Sequence, residues 1–289
     1  MQYYFCNMIK LTECPRDAMQ GLHDFVPTEI KAAYINLLLQ VGFDTIDFGS
    51  FVSAKAIPQM RDTTAVLDKL EISSSSSKLL AIVANLRGVE DAVQYDQITY
   101  LGFPFSISET FQQRNTNSSI KQSLVTVEQM MKQCERNNKM AIVYLSMGFG
   151  NPYGDDWSHE LLEYWVSQLA ERGVQILSLA DTIGVSTPDK IRYIFPYLTE
   201  NFSELEFGVH LHSTPSSWKE KVEAAYQCGC TRFDSALKGY GGCPMASDSL
   251  VGNIATENVI GYLKDQGEDL KLNMDKWQEA LLFSSRIFA

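Results

Sequence analysis

The stretch Phe207-Gly-Val-His210-Leu-His212-Ser-Thr-Pro215 sets two imidazoles one residue apart in an apolar, β-branched context. On an extended strand the side-chain period of two sends both rings to one face, where their nitrogens can grip one metal ion. A His-x-His pair on a strand is also an ordinary hydrogen-bonded core feature. Its meaning depends on what converges with it.

Outward from this stretch, one unit repeats along the chain. Residues 9–14 read as a strand ended by Pro15, with Arg16 and Asp17 standing where it stops. Residues 28–41 carry helical periodicity, with Thr28 as N-cap and Gly42 as the stop. Further strands are predicted at 44–49, 78–85, 97–106, 140–147 and 174–181, then in the histidine stretch and at 232–236. Helices are predicted at 59–70, 88–95, 120–137, 160–172, 188–198 and 218–227, the serine run 73–77 is a solvated connector, and a polar loop precedes Ile120. Eight strands that read as continuous apolar runs, the first seven each followed by a helix, predict an α/β fold. It is a single closed (β/α)8 TIM barrel with its active site at the C-terminal ends of the strands. No Gly-x-Gly-x-x-Gly opens the first helix, which removes the main reason to expect a dinucleotide-binding sheet. Residues 1–7 read as an N-terminal extension and 8–289 as one barrel domain without a linker.

The 289 residues carry 24 Lys and Arg against 35 Asp and Glu, a formal charge of −11, which argues against nucleic-acid partners. No apolar run approaches the roughly 18 residues of a membrane span, and the first seven residues lack the basic and apolar regions of a signal peptide. Six cysteines without framework spacing point to reduced thiols in a cytoplasm, and Cys228-x-Cys230 reads as two small packed residues.

A barrel of this kind brings its strand ends to one mouth. Those ends carry Arg16, Asp17, Asp47, Asn85, Ser146, Asp181, Thr182, His210 and His212, followed by Gly241-Gly-Cys243-Pro. Two imidazole nitrogens with oxygens from Asp17 and Asn253 form a mixed donor set. It suits a divalent Mg²⁺ or Mn²⁺ better than Zn²⁺. Asp47 and Asp181 either orient Arg16 and the ligands or hold local backbone, and Gly-Gly-Cys-Pro is by composition a plain turn.

In order along the chain, Glu13-Cys-Pro-Arg-Asp-Ala-Met-Gln20, Ser50-Phe-Val-Ser-Ala-Lys-Ala-Ile-Pro-Gln-Met60, Asp181-Thr-Ile-Gly184, His210-Leu-His212, Gly241-Gly-Cys-Pro244 and Gly252-Asn-Ile-Ala-Thr-Glu257 resemble the consecutive signatures of the 3-hydroxy-3-methylglutaryl-CoA lyases. These belong to the metal-dependent DRE-TIM lyases. The resemblance implies Asp17, His210, His212 and Asn253 as metal ligands and Arg16 as the group that polarises the thioester carbonyl. It further implies Cys243 as a catalytic thiol on a glycine-flanked loop, Asp47 and Asp181 as members of the catalytic set, and Gln20, Ser50 and Thr182 beside Arg16 as substrate-binding residues. The implied reaction is cleavage of an acyl-CoA thioester, 3-hydroxy-3-methylglutaryl-CoA, to acetyl-CoA and acetoacetate, and the implied assembly is a homodimer.

The chain departs from the family pattern at Asp47, where Glu is usual, at Ala18, where Gly is usual, and at Ser213, where Asp is usual; the segment between Cys243 and Asn253 is one residue longer. Related Claisen-type synthases, such as those making isopropylmalate or homocitrate, share the Arg-Asp opening and His-x-His but carry a Gly-Glu-Arg segment where Gly-Gly-Cys-Pro stands here. A zinc amidohydrolase would place His-x-His after its first strand. A catalytically silent acyl-CoA-binding barrel is the alternative from outside enzymology.

Overall fold

The computed structural model describes residues 8–242 and 251–288. Eight parallel strands close into a barrel: β1 (Lys10–Glu13), β2 (Thr45–Ser50), β3 (Lys78–Ile82), β4 (Ile98–Ser106), β5 (Met140–Ser146), β6 (Ile176–Ala180), β7 (Glu206–His210) and β9 (Arg232–Ser235), the last pairing back onto β1. The two remaining short strands, β8 (His212–Ser213) and β10 (Gly252–Asn253), form an antiparallel ribbon. Outside the barrel run α1 (Pro15–Gln20), α2 (Thr28–Val41), α3 (Thr63–Leu67), α4 (Leu86–Ala92), α5 (Glu109–Thr116), α6 (Ile120–Arg136), α7 (His159–Ala170), α8 (Pro188–Asn201), α9 (Trp218–Gln227), α10 (Thr256–Asp265) and α11 (Met274–Phe283).

The apolar strand runs are explained by burial on both faces. Leu79, Ala81, Leu101, Phe103, Val143, Leu145, Leu177 and Leu179 face the helices in the main core. The alternate positions Leu80, Ile82, Tyr100, Ile142 and Ile176 form a separate cluster inside the barrel. That inward row continues toward the C-terminal mouth with Tyr144, whose ring has room because Gly102 carries no side chain: a Cβ there would stand 2.5 Å from Ile82 and 3.2 Å from Tyr144.

Several local expectations are corrected. The histidine stretch is not one strand: barrel pairing ends at His210, opposite Asp234, and His212 belongs to β8, where it pairs with Asn253. Thr28 is the first residue of α2 rather than its N-cap, and its hydroxyl donates instead to Asp62, at 2.7 Å. The helix expected over 59–70 is a 3-10 turn at Pro58–Met60 followed by α3. There Thr63 is recruited by the end of β2, its Oγ1 accepting from Ser50 N and donating to Ser50 O. The polar segment before Ile120 contains α5, capped by Ser108 accepting from Phe111 N and ended by Asn117 in the left-handed region. Its polar composition hid a helix that buries only Phe111 and Gln112. Beyond β9, α11 packs against α2, with Trp277 edge-on to Phe43 at 5.8 Å.

Glu13 joins the end of β1 to the segment after β9. Its carboxyl accepts from Leu237 N at 2.8 Å and meets the Thr256 hydroxyl, which also reaches Ser235 Oγ at 2.9 Å. Thr256 has one hydroxyl proton, which it gives to Glu13, so its oxygen is left to accept from Ser235. Burial pushes the Glu13 carboxyl up to about 8, against the pull of the Thr256 and Leu237 hydrogen bonds. The folded state therefore keeps Glu13 protonated where the unfolded chain, near 4.5, has ionised it, so stability present below 4.5 is lost as pH rises toward 8. Urea unfolding should show Glu13→Gln, which keeps the shape and cannot ionise, gaining on the parent protein by a few kcal/mol, at roughly 1.4 kcal/mol per pK unit, between pH 5 and 9.

Candidate active site and metal centre

Arg16 and Asp17 are presented by α1, a six-residue helix that Pro15 starts and that is too short to be seen as a periodic pattern. Helical spacing then puts Arg16, Asp17 and Gln20 in contact: Arg16 Nη1 donates to Gln20 Oε1 at 2.8 Å and to Asp17 Oδ1 at 3.0 Å, and Gln20 Nε2 donates to Asp17 Oδ1 at 2.8 Å. From β2, Asp47 takes the other side of the guanidinium, accepting from Nε at 3.0 Å and from Nη2 at 2.6 Å. The shorter carboxylate therefore still makes a two-point pair with Arg16. Burial pushes Asp47 up to about 6 against the attraction of Arg16, which leaves it ionised at neutral pH. Burial also works against the Arg16 charge, but Asp47 and Asp17 outweigh it and hold the guanidinium fully protonated.

Both histidines face Asp17. Ligand atoms of Asp17, His210 and His212 lie within 4.8 Å of one another, and the two rings are 5.3 Å apart. Their tautomers follow from their partners. His212 Nδ1 faces the carbonyl of Thr182 at 3.1 Å, and a carbonyl only accepts, so Nδ1 carries the proton and Nε2 presents a lone pair. That Nε2 is buried with no hydrogen-bond partner. His210 Nδ1 lies 3.2 Å from the Asp234 carboxylate, which likewise turns Nε2 into the site. An orphaned, neutral imidazole nitrogen beside a second imidazole and a carboxylate is the donor set a divalent metal requires, and the Asp234 partner is the outer-shell carboxylate that orients such a ligand. Burial, reinforced by the His210 charge, lowers His212 to about 4, so it is neutral at physiological pH; His210 is raised because Asp234 and Asp17 outweigh its burial. Asp17 is held below the usual range: burial opposes, but Arg16, the histidines and Asn253 prevail.

Asn253, delivered by β10, reaches the same carboxylate. Its amide nitrogen donates to Asp17 Oδ2 at 2.6 Å and to Tyr240 O at 2.9 Å, which leaves the amide oxygen as the atom that could serve a metal. Glycine is obligatory beside it: Gly241 has φ +84°, and a Cβ would stand 2.6 Å from the backbone oxygen of Asp17.

Arg16, Asp17, Asp47, His210 and His212 floor a cavity of about 310 Å³ walled by Val52, Ile57, Ile82, Phe111 and Tyr144 and also lined by Gln20, Ser146 and Thr182. Other strand-end residues go elsewhere. Ser50 is not in the cavity wall; its hydroxyl accepts from Val52 N and donates to Ile82 O, fixing the turn after β2. Asn85 caps α4 by accepting from Gly88 N. Asp181 turns away from the reacting space: Ser186 N donates to Oδ1, and the Ser186 hydroxyl and Lys221 Nζ donate to Oδ2. These contacts tie it to the loop after β6. Cys243 lies outside the described residues. Asp234, Tyr144 and Lys221 were missed from sequence. Asp234 shares the inward parity of its strand and was legible as such, whereas a lysine inside a helix gives no signal. With Asp234→Asn, His210 loses its acidic partner, and Mn²⁺ affinity measured by calorimetry should fall roughly 10- to 100-fold without loss of fold by circular dichroism.

Residues 9–282 match the model of the HMGL-like family. The cytoplasmic 3-hydroxy-3-methylglutaryl-CoA lyase of Homo sapiens is 33% identical over 277 residues, covering 95% of this chain and 74% of that protein. The crystal structure of the Bacillus subtilis HMG-CoA lyase superposes with a TM-score of 0.90 at 30% identity, over 97% of this chain and 94% of that one. An HMG-CoA lyase from Acinetobacter baumannii, solved in complex with coenzyme A and 3-methylmalate, gives 0.89 at 27% identity, over 99% and 93%. With the barrel, the paired histidines and the Arg-Asp helix in place, the chain belongs to the HMGL-like family.

Proposed function

We propose that this protein is a divalent-metal-dependent carbon–carbon lyase that cleaves 3-hydroxy-3-methylglutaryl-CoA to acetyl-CoA and acetoacetate. The observation that carries the reading is the convergence of Asp17, His210 and His212, with Arg16 fixed beside them by Asp47, on the floor of one cavity.

Asp17, His210 and His212 would hold the ion, with Asn253 as the adjoining fourth donor; the mixed oxygen and nitrogen set favours Mg²⁺ or Mn²⁺ over Zn²⁺. A bound ion supplies Lewis acidity to the tertiary hydroxyl and the neighbouring carboxylate of the substrate. Transfer of the hydroxyl proton to solvent lets the carbinol carbon become the ketone of acetoacetate. The electrons of its bond to the thioester-side methylene pass to the acetyl-CoA enolate. Arg16, its planar fork held rigid by Asp47 on one side and by Asp17 and Gln20 on the other, has one Nη2–H left to meet that developing charge, so its alignment costs no reorganisation during reaction. One proton then returns to the methylene carbon, for which the Cys243 thiol is the proposed donor, so the reaction is proton-neutral overall. The apolar wall of Val52, Ile57 and Phe111 keeps water from the enolate. Gln20 and Thr182 stand at the cavity to contact substrate, and the acyl-CoA would enter from the open mouth.

Purified protein with Mn²⁺ should release acetoacetate from 3-hydroxy-3-methylglutaryl-CoA and stop with EDTA. Arg16→Lys should lose about two to three orders of magnitude in kcat, because a point charge cannot replace the fork. Cys243→Ala should lose turnover while still binding metal. No acetoacetate, or condensation of acetyl-CoA with a 2-oxo acid instead, would overturn the lyase reading.

A further inference from the structure

Lys221 is buried on α9, the helix that follows the histidine loop, and its ammonium reaches the loops that follow β6 and β7. It has three N–H donors, and each has an acceptor: Asp181 Oδ2 at 2.8 Å, the carbonyl of His212 at 2.8 Å and the carbonyl of Gly184 at 3.1 Å. The side chains of Lys221 and Asp181 are 4% and 0% exposed, so this charge is held by these partners rather than by water. Two of the three acceptors belong to the loop after β6. The same loop supplies the Thr182 carbonyl that receives His212 Nδ1–H, and Ser186 anchors it on Asp181. His212 is therefore gripped to one loop at its ring and, through Lys221, at its backbone.

We propose that Lys221 is a positioning residue for His212, locking the backbone and tautomer of that ligand so that Nε2 is aimed at the metal. His212 needs such a lock because it has left the barrel: β8 is two residues long and pairs with the equally short β10 rather than with a barrel strand. The inference rests on the metal-site reading above.

The test is Mn²⁺ affinity of the whole protein, followed by the EPR signal of the free ion, in two variants. Lys221→Met should weaken binding roughly 10- to 100-fold, as loss of an outer-shell partner does. It also strands Asp181 without its cation, so Lys221→Met/Asp181→Asn removes both charges. That double variant should recover the parent's thermal midpoint and yet keep the weakened Mn²⁺ affinity. A lowered kcat with little change in KM should accompany it in both. A stably folded double variant that binds Mn²⁺ as tightly as the parent would overturn the positioning role and leave the metal site standing. An unmodified protein that binds no Mn²⁺ would overturn both.

Discussion

Parallel pairing of β9 with β1, from Lys10 opposite Arg232 to Glu13 opposite Ser235, closes the barrel, and the site exists only because of that closure. Asp17 and Asn253 are 236 residues apart in the chain and share a hydrogen bond. Closure sets α1, which follows β1, against the glycine segment that follows β9. The fit is close enough that Gly241 leaves no space for a side chain over Asp17 and Ala18. Glu13, protonated and hydrogen-bonded across the same seam, seals it from the helix side.

Closure also concentrates charge. Arg16, Asp17, Asp47, His210, His212 and Asp234 all lie in or beside one cavity, where isolated charges would be costly. The arrangement is tolerable because each is engaged: Arg16 lies between two carboxylates, and each histidine gives Nδ1–H to an acceptor. The one buried polar atom of this group left without a partner is His212 Nε2. Within this charged group that nitrogen is the exception, and it is the atom that points toward the second imidazole and the carboxylate.

Much of this was legible in the chain. The repeating units gave the barrel because strands buried on both faces read as unbroken apolar runs, and inward parity made His210, Asp47 and Asp234 neighbours in principle. The short elements were not legible. Six residues in α1 and two each in β8 and β10 are below any periodic signal, yet they carry Arg16, Asp17, His212 and Asn253. The strand ends also divided in a way no pattern shows: Asp47 turned to Arg16, whereas Asp181, alike in sequence position, turned to Ser186 and Lys221.

By itself, then, the sequence determined the barrel and the residue types available at its mouth, because period-two burial and turn chemistry are local properties. Tertiary structure alone decided which of them meet, which nitrogen of each histidine is free, and which carboxylate is spent on scaffolding. Those outcomes depend on hydrogen-bond partners brought from distant segments, and a donor or acceptor is assigned only when its partner arrives.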